Sequence, residues 1–182
     1  MGDSVEAMEN SRAAVPEMSV GTHELADSWT LWAHLPHDTD WSLSSYRKIL
    51  TFNSVEGAIS ITETLPHKML RNCMLFLMRD GIQPTWEDER NRKGGSFSYK
   101  VSNKVVPTTW RDLTYRLVGE TLTTSPTASR EVNGITISPK KNFCVVKVWM
   151  SSCSKQDPMI IRETGQGIAP AGCLFKKHNP EY

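Results

Sequence analysis

The chain has 182 residues with 21 Lys and Arg against 20 Asp and Glu, a formal net charge of +1. That length suits one domain with a sizeable core, and the near-zero charge excludes a long basic groove for nucleic acid, so any contact with a polyanion must be small and local. No apolar run reaches the length of a membrane span, and Met1 to Gly21 is acidic and rich in small residues without a signal-peptide pattern, which reads as a flexible tail ahead of a single domain over 22–182.

From Leu25 to Leu35 the pattern alternates, with Trp29, Leu31 and Ala33 on one side and Ser28, Thr30 and Trp32 on the other, which predicts a strand. Residues 34–40 read as a polar loop ending near Trp41, and Tyr46 to Phe52 as a second strand. Asn53 and Glu56 resemble a capping pair for a helix over 54–65. Cys73 to Met78 is continuously apolar, as expected of a strand covered on both faces. Asp80-Gly81 and Pro84 mark turns, and Gly94-Gly95 opens a strand through Phe97 and Tyr99. Thr109 and Asp112 form a capping box ahead of Trp110, Leu113 and Leu117 at helical spacing, with Gly119 at the stop. Residues 121–129 read as a Ser/Thr/Pro loop. Gly134 to Ile137 and Phe143 to Met150 form a hairpin around residues 139–142, and Ala171 to Lys177 is a last strand. The sum is an α+β domain: a largely antiparallel sheet with two or three helices on one face.

Cys73, Cys144, Cys153 and Cys173 are scattered without C-x-x-C or zinc spacing, so free thiols in a reducing compartment are expected, with no metal and no cofactor. Six tryptophans exceed the five phenylalanines and the four tyrosines, and they need a reason. The informative stretch is Pro84-Thr85-Trp86-Glu87-Asp88-Glu89-Arg90-Asn91-Arg92-Lys93-Gly94-Gly95. Adjacent side chains on a flat strand point to opposite faces, whereas on a turn Trp86 and Glu87 can converge on one ligand. Taken singly, such features are most often core tryptophan and solvated charge. Trp41, beside a polar loop, adds a second indole that nothing local would bury.

Several motifs resemble the eukaryotic translation initiation factor 4E family: Trp29-Thr30-Leu31-Trp32, Trp41, Val55-Glu56, Asp80-Gly81-Ile82, Pro84 to Glu89, Asn91 to Gly95, Leu117 to Glu120 and Val148-Trp149. The resemblance covers about residues 23–150, and the last 30 residues match poorly and look shortened. It implies a cupped, mostly antiparallel sheet backed by about three helices on its convex face, a cytoplasmic and partly nuclear location, and binding of the 7-methylguanosine cap of mRNA rather than catalysis. By position, Trp41 and Trp86 would sandwich the base, Glu87 would accept the N1 and N2 protons, and Trp149 would touch the N7 methyl group. Lys140, Lys141, Lys147 and Arg92 would hold phosphates, and Lys176 and Lys177 would reach later nucleotides. The family's arginine after Gly-Gly is Ser96 in this chain. On the helical face, His23, Leu25, Val55, Ile59, Arg111 and Tyr115 match positions that bind a scaffold subunit or a repressor peptide, with Ile59 where tryptophan and Arg111 where leucine is expected. Trp29, Trp32 and Trp110 are assigned core or structural roles.

The residues alone leave two rivals. Trp41, Trp86 and Glu87 would also suit an aromatic cage for methylated lysine on a peptide. A carbohydrate-active enzyme would need two separated carboxylates, and Glu87, Asp88 and Glu89 are consecutive.

Overall fold

The alternation around Trp29 becomes an eleven-residue strand, β1 (Glu24–His34), in the computed structural model, which describes residues 22–165 and 167–178. The tail expected over 1–21 lies outside those residues. Trp29, Leu31 and Ala33 are buried on one face, while Thr30 and Trp32 look to the other. The remaining strands are β2 (Arg47–Ser54), β3 (Met74–Arg79), β4 (Gly95–Ser102), β5 (Val132–Pro139), β6 (Phe143–Met150) and β7 (Leu174–Lys177). They form one curved sheet in the order β2-β1-β3-β5-β6-β4-β7, every neighbouring pair antiparallel. β3 runs between β1 and β5 and is covered on both sides, as its unbroken apolar run requires: Leu75 and Leu77 face the main core, Phe76 and Met78 the other face.

Among the described residues four α-helices accompany the sheet: α1 (Val55–Thr64), α2 (His67–Asn72), α3 (Val106–Val118) and α4 (Pro126–Arg130). Ala58 and Ile61 of α1, Leu70 of α2, and Trp110, Leu113 and Leu117 of α3 pack into the core that holds Trp29 and Leu31, which places these helices on one face of the sheet. Three local expectations are corrected. α1 is capped by Ser54, whose hydroxyl accepts from the Gly57 N–H at 3.1 Å, and not by Asn53. The Glu56 carboxylate reaches back to residue 23 instead, accepting from the His23 N–H at 3.0 Å and meeting its ring at 2.7 Å. α3 starts at Val106 with Pro107 in its first turn, where the missing N–H costs nothing, so Thr109 is an interior, buried residue and no cap. The stretch 121–129 is not all loop: Ser125 accepts from the Ala128 N–H and starts α4.

The pairing of β4 with both β6 and β7 depends on Gly94 and Gly95. A Cβ on Gly94 would lie 1.8 Å from the Met150 carbonyl oxygen, and one on Gly95 would lie 2.5 Å from the Phe175 ring. All four cysteines are free thiols. A partly buried polar node closes the sheet against the helices. Arg79 bridges Glu120 through two hydrogen bonds of 2.7 and 2.9 Å, pairs with Asp27 at 2.8 Å, and donates to the carbonyls of Val132 and Ser129. Burial pulls the guanidinium toward neutrality, but Glu120 and Asp27 outweigh it and hold the charge.

Candidate functional site

The sheet face opposite the helices carries a second, smaller apolar cluster of Phe76, Met78, Ile82 and Trp149, with Trp32, Tyr46 and Met74 against it. Above it opens a cavity of about 680 Å³, within the range of ligand pockets. Two loops supply its exposed aromatic side chains. Trp41 comes from the loop after β1 and is 57 % exposed; Trp86 comes from the loop after β3 and is 43 % exposed. Large indoles left this open in a folded domain are unusual, and here both line one cavity together with Glu87.

The Trp86 loop is built from its own charged run. Asp88 accepts from the N–H groups of Gln83 (2.9 Å) and Arg90 (2.8 Å). Asn91, fully buried, donates to the carbonyls of Gln83 and Thr85 and accepts from Asn133 on β5. Gly81 takes φ +79°, the left-handed turn that Asp-Gly predicted. The result holds Trp86 and Glu87 on one rigid lip. The negative charge of Glu87 also raises the Tyr46 hydroxyl pKa, after burial, which is the larger cause. Trp41 is held differently. Its ring stacks flat on His34, centroids 4.2 Å apart and planes within 2°, and His34 is fixed by donating Nε2–H to the Asp40 carbonyl at 2.8 Å. Asp40 accepts in turn from the Ser42 N–H and hydroxyl, which lowers its carboxyl pKa.

Trp149 lines the same cavity at its floor but is only 3 % exposed, so little of its ring can meet a ligand. Of the expected anion holders, Lys140 and Lys147 line the cavity, and Lys176 joins them; Arg92 and Lys141 lie outside the lining. Lys147 on β6 is half-buried; burial first, then the charges of Lys176 and Lys140, lowers its pKa. Its Nζ lies 5.6 Å from the centre of the Trp86 ring.

Sequence reasoning missed two histidines. His34 is buried behind Trp41. His178, just past β7, stacks nearly parallel to Trp86 at 5.9 Å and tilts against Trp149 at 4.8 Å. It donates Nδ1–H to the Asn91 carbonyl at 2.8 Å, and its own N–H donates to Gly94 O at 2.9 Å. The weakly patterned tail therefore supplies a wedge behind one wall of the cavity. Burial, its largest influence, lowers the His178 pKa.

On the helical face, Val55, Ile59 and Tyr115 are exposed at 40 %, 45 % and 36 %, and Arg111, on α3 with Tyr115, is exposed too. The Tyr115 hydroxyl meets Thr62 Oγ1 at 2.7 Å and ties α3 to α1. His23 sits at the start of α1 through Glu56, whereas Leu25 packs partly into the core.

Residues 24–177 match the family model described as eukaryotic initiation factor 4E. The chain belongs to the eukaryotic initiation factor 4E family. It is 31 % identical over 148 residues to eukaryotic translation initiation factor 4E-1 of Schizosaccharomyces pombe, covering 76 % of this chain and 65 % of that protein. It is also 31 % identical over 168 residues to the rice initiation factor NCBP, covering 89 % and 72 %. The chain thus spans about two thirds of the length of such family members. Among solved structures, a schistosome family member complexed with m7GpppA and 4E-BP superposes with a TM-score of 0.66 at 25 % identity, covering 74 % of each chain. An Ascaris suum 4E-3 complex with m2,2,7G cap gives 0.66 at 21 % identity over 74 % of this chain and 77 % of that one, a likeness of fold.

Proposed function

We propose that this chain binds the 7-methylguanosine 5′ cap of mRNA and serves translation initiation or its regulation. The observation that carries the reading is the pair of exposed indoles, Trp41 and Trp86, lining one cavity beside Glu87. N7 methylation makes guanine a delocalised cation, and indole faces attract a cation more strongly than a neutral base, by about 0.5–2 kcal/mol per well-placed face. Stacking adds about 1–3 kcal/mol per base. The charge also makes N1–H a stronger donor, which suits a carboxylate acceptor at Glu87. In this reading Trp41 and Trp86 sandwich the base, Trp149 closes the floor at the methyl group, and Lys140, Lys147 and Lys176 neutralise the phosphates. Arg92 and Lys141 would act only on nucleotides outside the cavity.

The lysine row favours a nucleotide over a methyl-lysine peptide, which brings cationic side chains and no phosphates. The chain acts here by binding, in the cytoplasm, and no residue is given a catalytic role. The exposed face of Val55, Ile59, Arg111 and Tyr115, with His23, is the surface for a scaffold subunit or a 4E-interacting protein. The test is a titration with 7-methyl-GTP, GTP and a trimethyl-lysine peptide, followed by tryptophan quenching. The reading requires 7-methyl-GTP to bind at least about tenfold more tightly than GTP; equal affinities, or preference for the peptide, would overturn it.

A further inference from the structure

Lys147 occupies an unusual place. It lies on β6 two residues before Trp149, across β4 from Ser98, and both it and Trp86 line the cavity while His178 does not. Its ammonium lies over the Trp86 ring, 5.6 Å from the ring centre, within the cavity that both side chains line. No carboxylate among the described residues forms an ion pair with it, and its charged neighbours, Lys140 and Lys176, repel it. The π-face of Trp86 is an attractive partner for it in the cavity.

A cationic base stacking on Trp86 needs that same face. Resting on the cap-binding reading above, we propose that Lys147 is a built-in competitor: it covers the Trp86 face in the free chain and yields it only when phosphates arrive to take up its charge. The lysine then changes partner from indole to phosphate as the base slides in, and the chain selects ligands that carry a methylated base and a phosphate chain together. A methylated nucleoside, or any small organic cation, must displace the ammonium without compensating it. The depressed pKa of Lys147 fits a group poorly compensated in the free state, and phosphate contact would raise it again.

The experiment measures affinities of the full chain, wild type and Lys147→Met, for 7-methylguanosine nucleoside, 7-methyl-GTP and GTP by calorimetry, with circular dichroism to verify the fold. Methionine keeps the apolar stem and removes the charge. The proposal requires opposite signs: Lys147→Met binds the nucleoside about two- to fivefold more tightly and 7-methyl-GTP about five- to tenfold more weakly. Lys147→Arg, which retains the cation, should preserve the wild-type discrimination. If Lys147→Met binds the nucleoside no better than wild type does, the competitor role is overturned while cap binding stands. If wild type binds 7-methyl-GTP no better than GTP, both readings fall together.

Discussion

Replacing Trp41 by alanine removes one wall of the cavity and little else. The ring is more than half exposed, and its buried side rests on His34 rather than in the main core. The stack on His34 contributes about 0.5–1.5 kcal/mol, so the fold should survive with a small drop in melting temperature. Ligand binding loses far more. One stacking face is worth about 1–3 kcal/mol and the cationic part about 0.5–2 kcal/mol. The expected sum of about 1.5–5 kcal/mol corresponds to a roughly 10- to 4000-fold weaker Kd for 7-methyl-GTP. Calorimetry is the assay of choice, because the substitution deletes a fluorescent reporter. The ratio of GTP to 7-methyl-GTP affinity should shrink as well, since only the methylated base carries the charge that the indole favours. Trp41→Phe, which keeps a smaller ring, should fall between alanine and wild type. A Trp41→Ala protein with unchanged melting and a Kd within about threefold of wild type would refute the assignment of this ring to the ligand.

Glu87→Gln should cut 7-methyl-GTP affinity by at least about tenfold, because a charge-assisted acceptor is replaced by a neutral amide; normal binding would remove Glu87 from the site. Lys140→Ala should reduce the slope of log affinity against log salt by about one phosphate contact, and an unchanged slope would exclude it. Arg79→Met should destabilise the domain by about 2–3 kcal/mol, since Glu120 and Asp27 lose their cation and two carbonyls lose a donor. Thermal melting should then fall by roughly 5–10 °C, and a shift below about 2 °C would contradict the proposed node. His178 binds a proton less readily in the folded chain than at its unfolded value of 6.5, so its contribution to stability is complete above that pH and is lost as pH falls through the lower folded value. His178→Phe should therefore lose less stability than wild type between pH 7.5 and pH 5, whatever its starting level; equal losses would show that His178 is not the acid-sensitive group.

Period-two alternation and unbroken apolar runs located β1, β3 and β6 because strand burial is written locally, residue by residue. The adjacency of Trp86 and Glu87 on a turn, and the glycines that follow, were legible for the same reason: they depend on a dozen consecutive residues. Short helices were not. α2 and α4 span six and five residues, too few for a periodic stripe, although Ser125 followed by Pro126 was a usable start signal for α4. Pro107 in the first turn of α3 was a better marker than the Thr109–Asp112 box. Exposure at Ile59 and Arg111 could be anticipated, yet the Thr62–Tyr115 tie beneath that face could not, since its partners are 53 residues apart.

The chain's own letters determined its family, its α+β class and the adjacency of Trp86 and Glu87 on one turn. Tertiary packing decided which of these side chains share a space. It withdrew most of Trp149 into the floor, left Arg92 and Lys141 outside the cavity, brought in Lys176, and set His34 and His178 behind the two open tryptophans. His178 reaches Asn91 across 87 residues of sequence only because β7 adds to the edge of β4. A contact made by a sheet's closing order has no signature in either segment, and so the walls were visible in sequence while their supports were not.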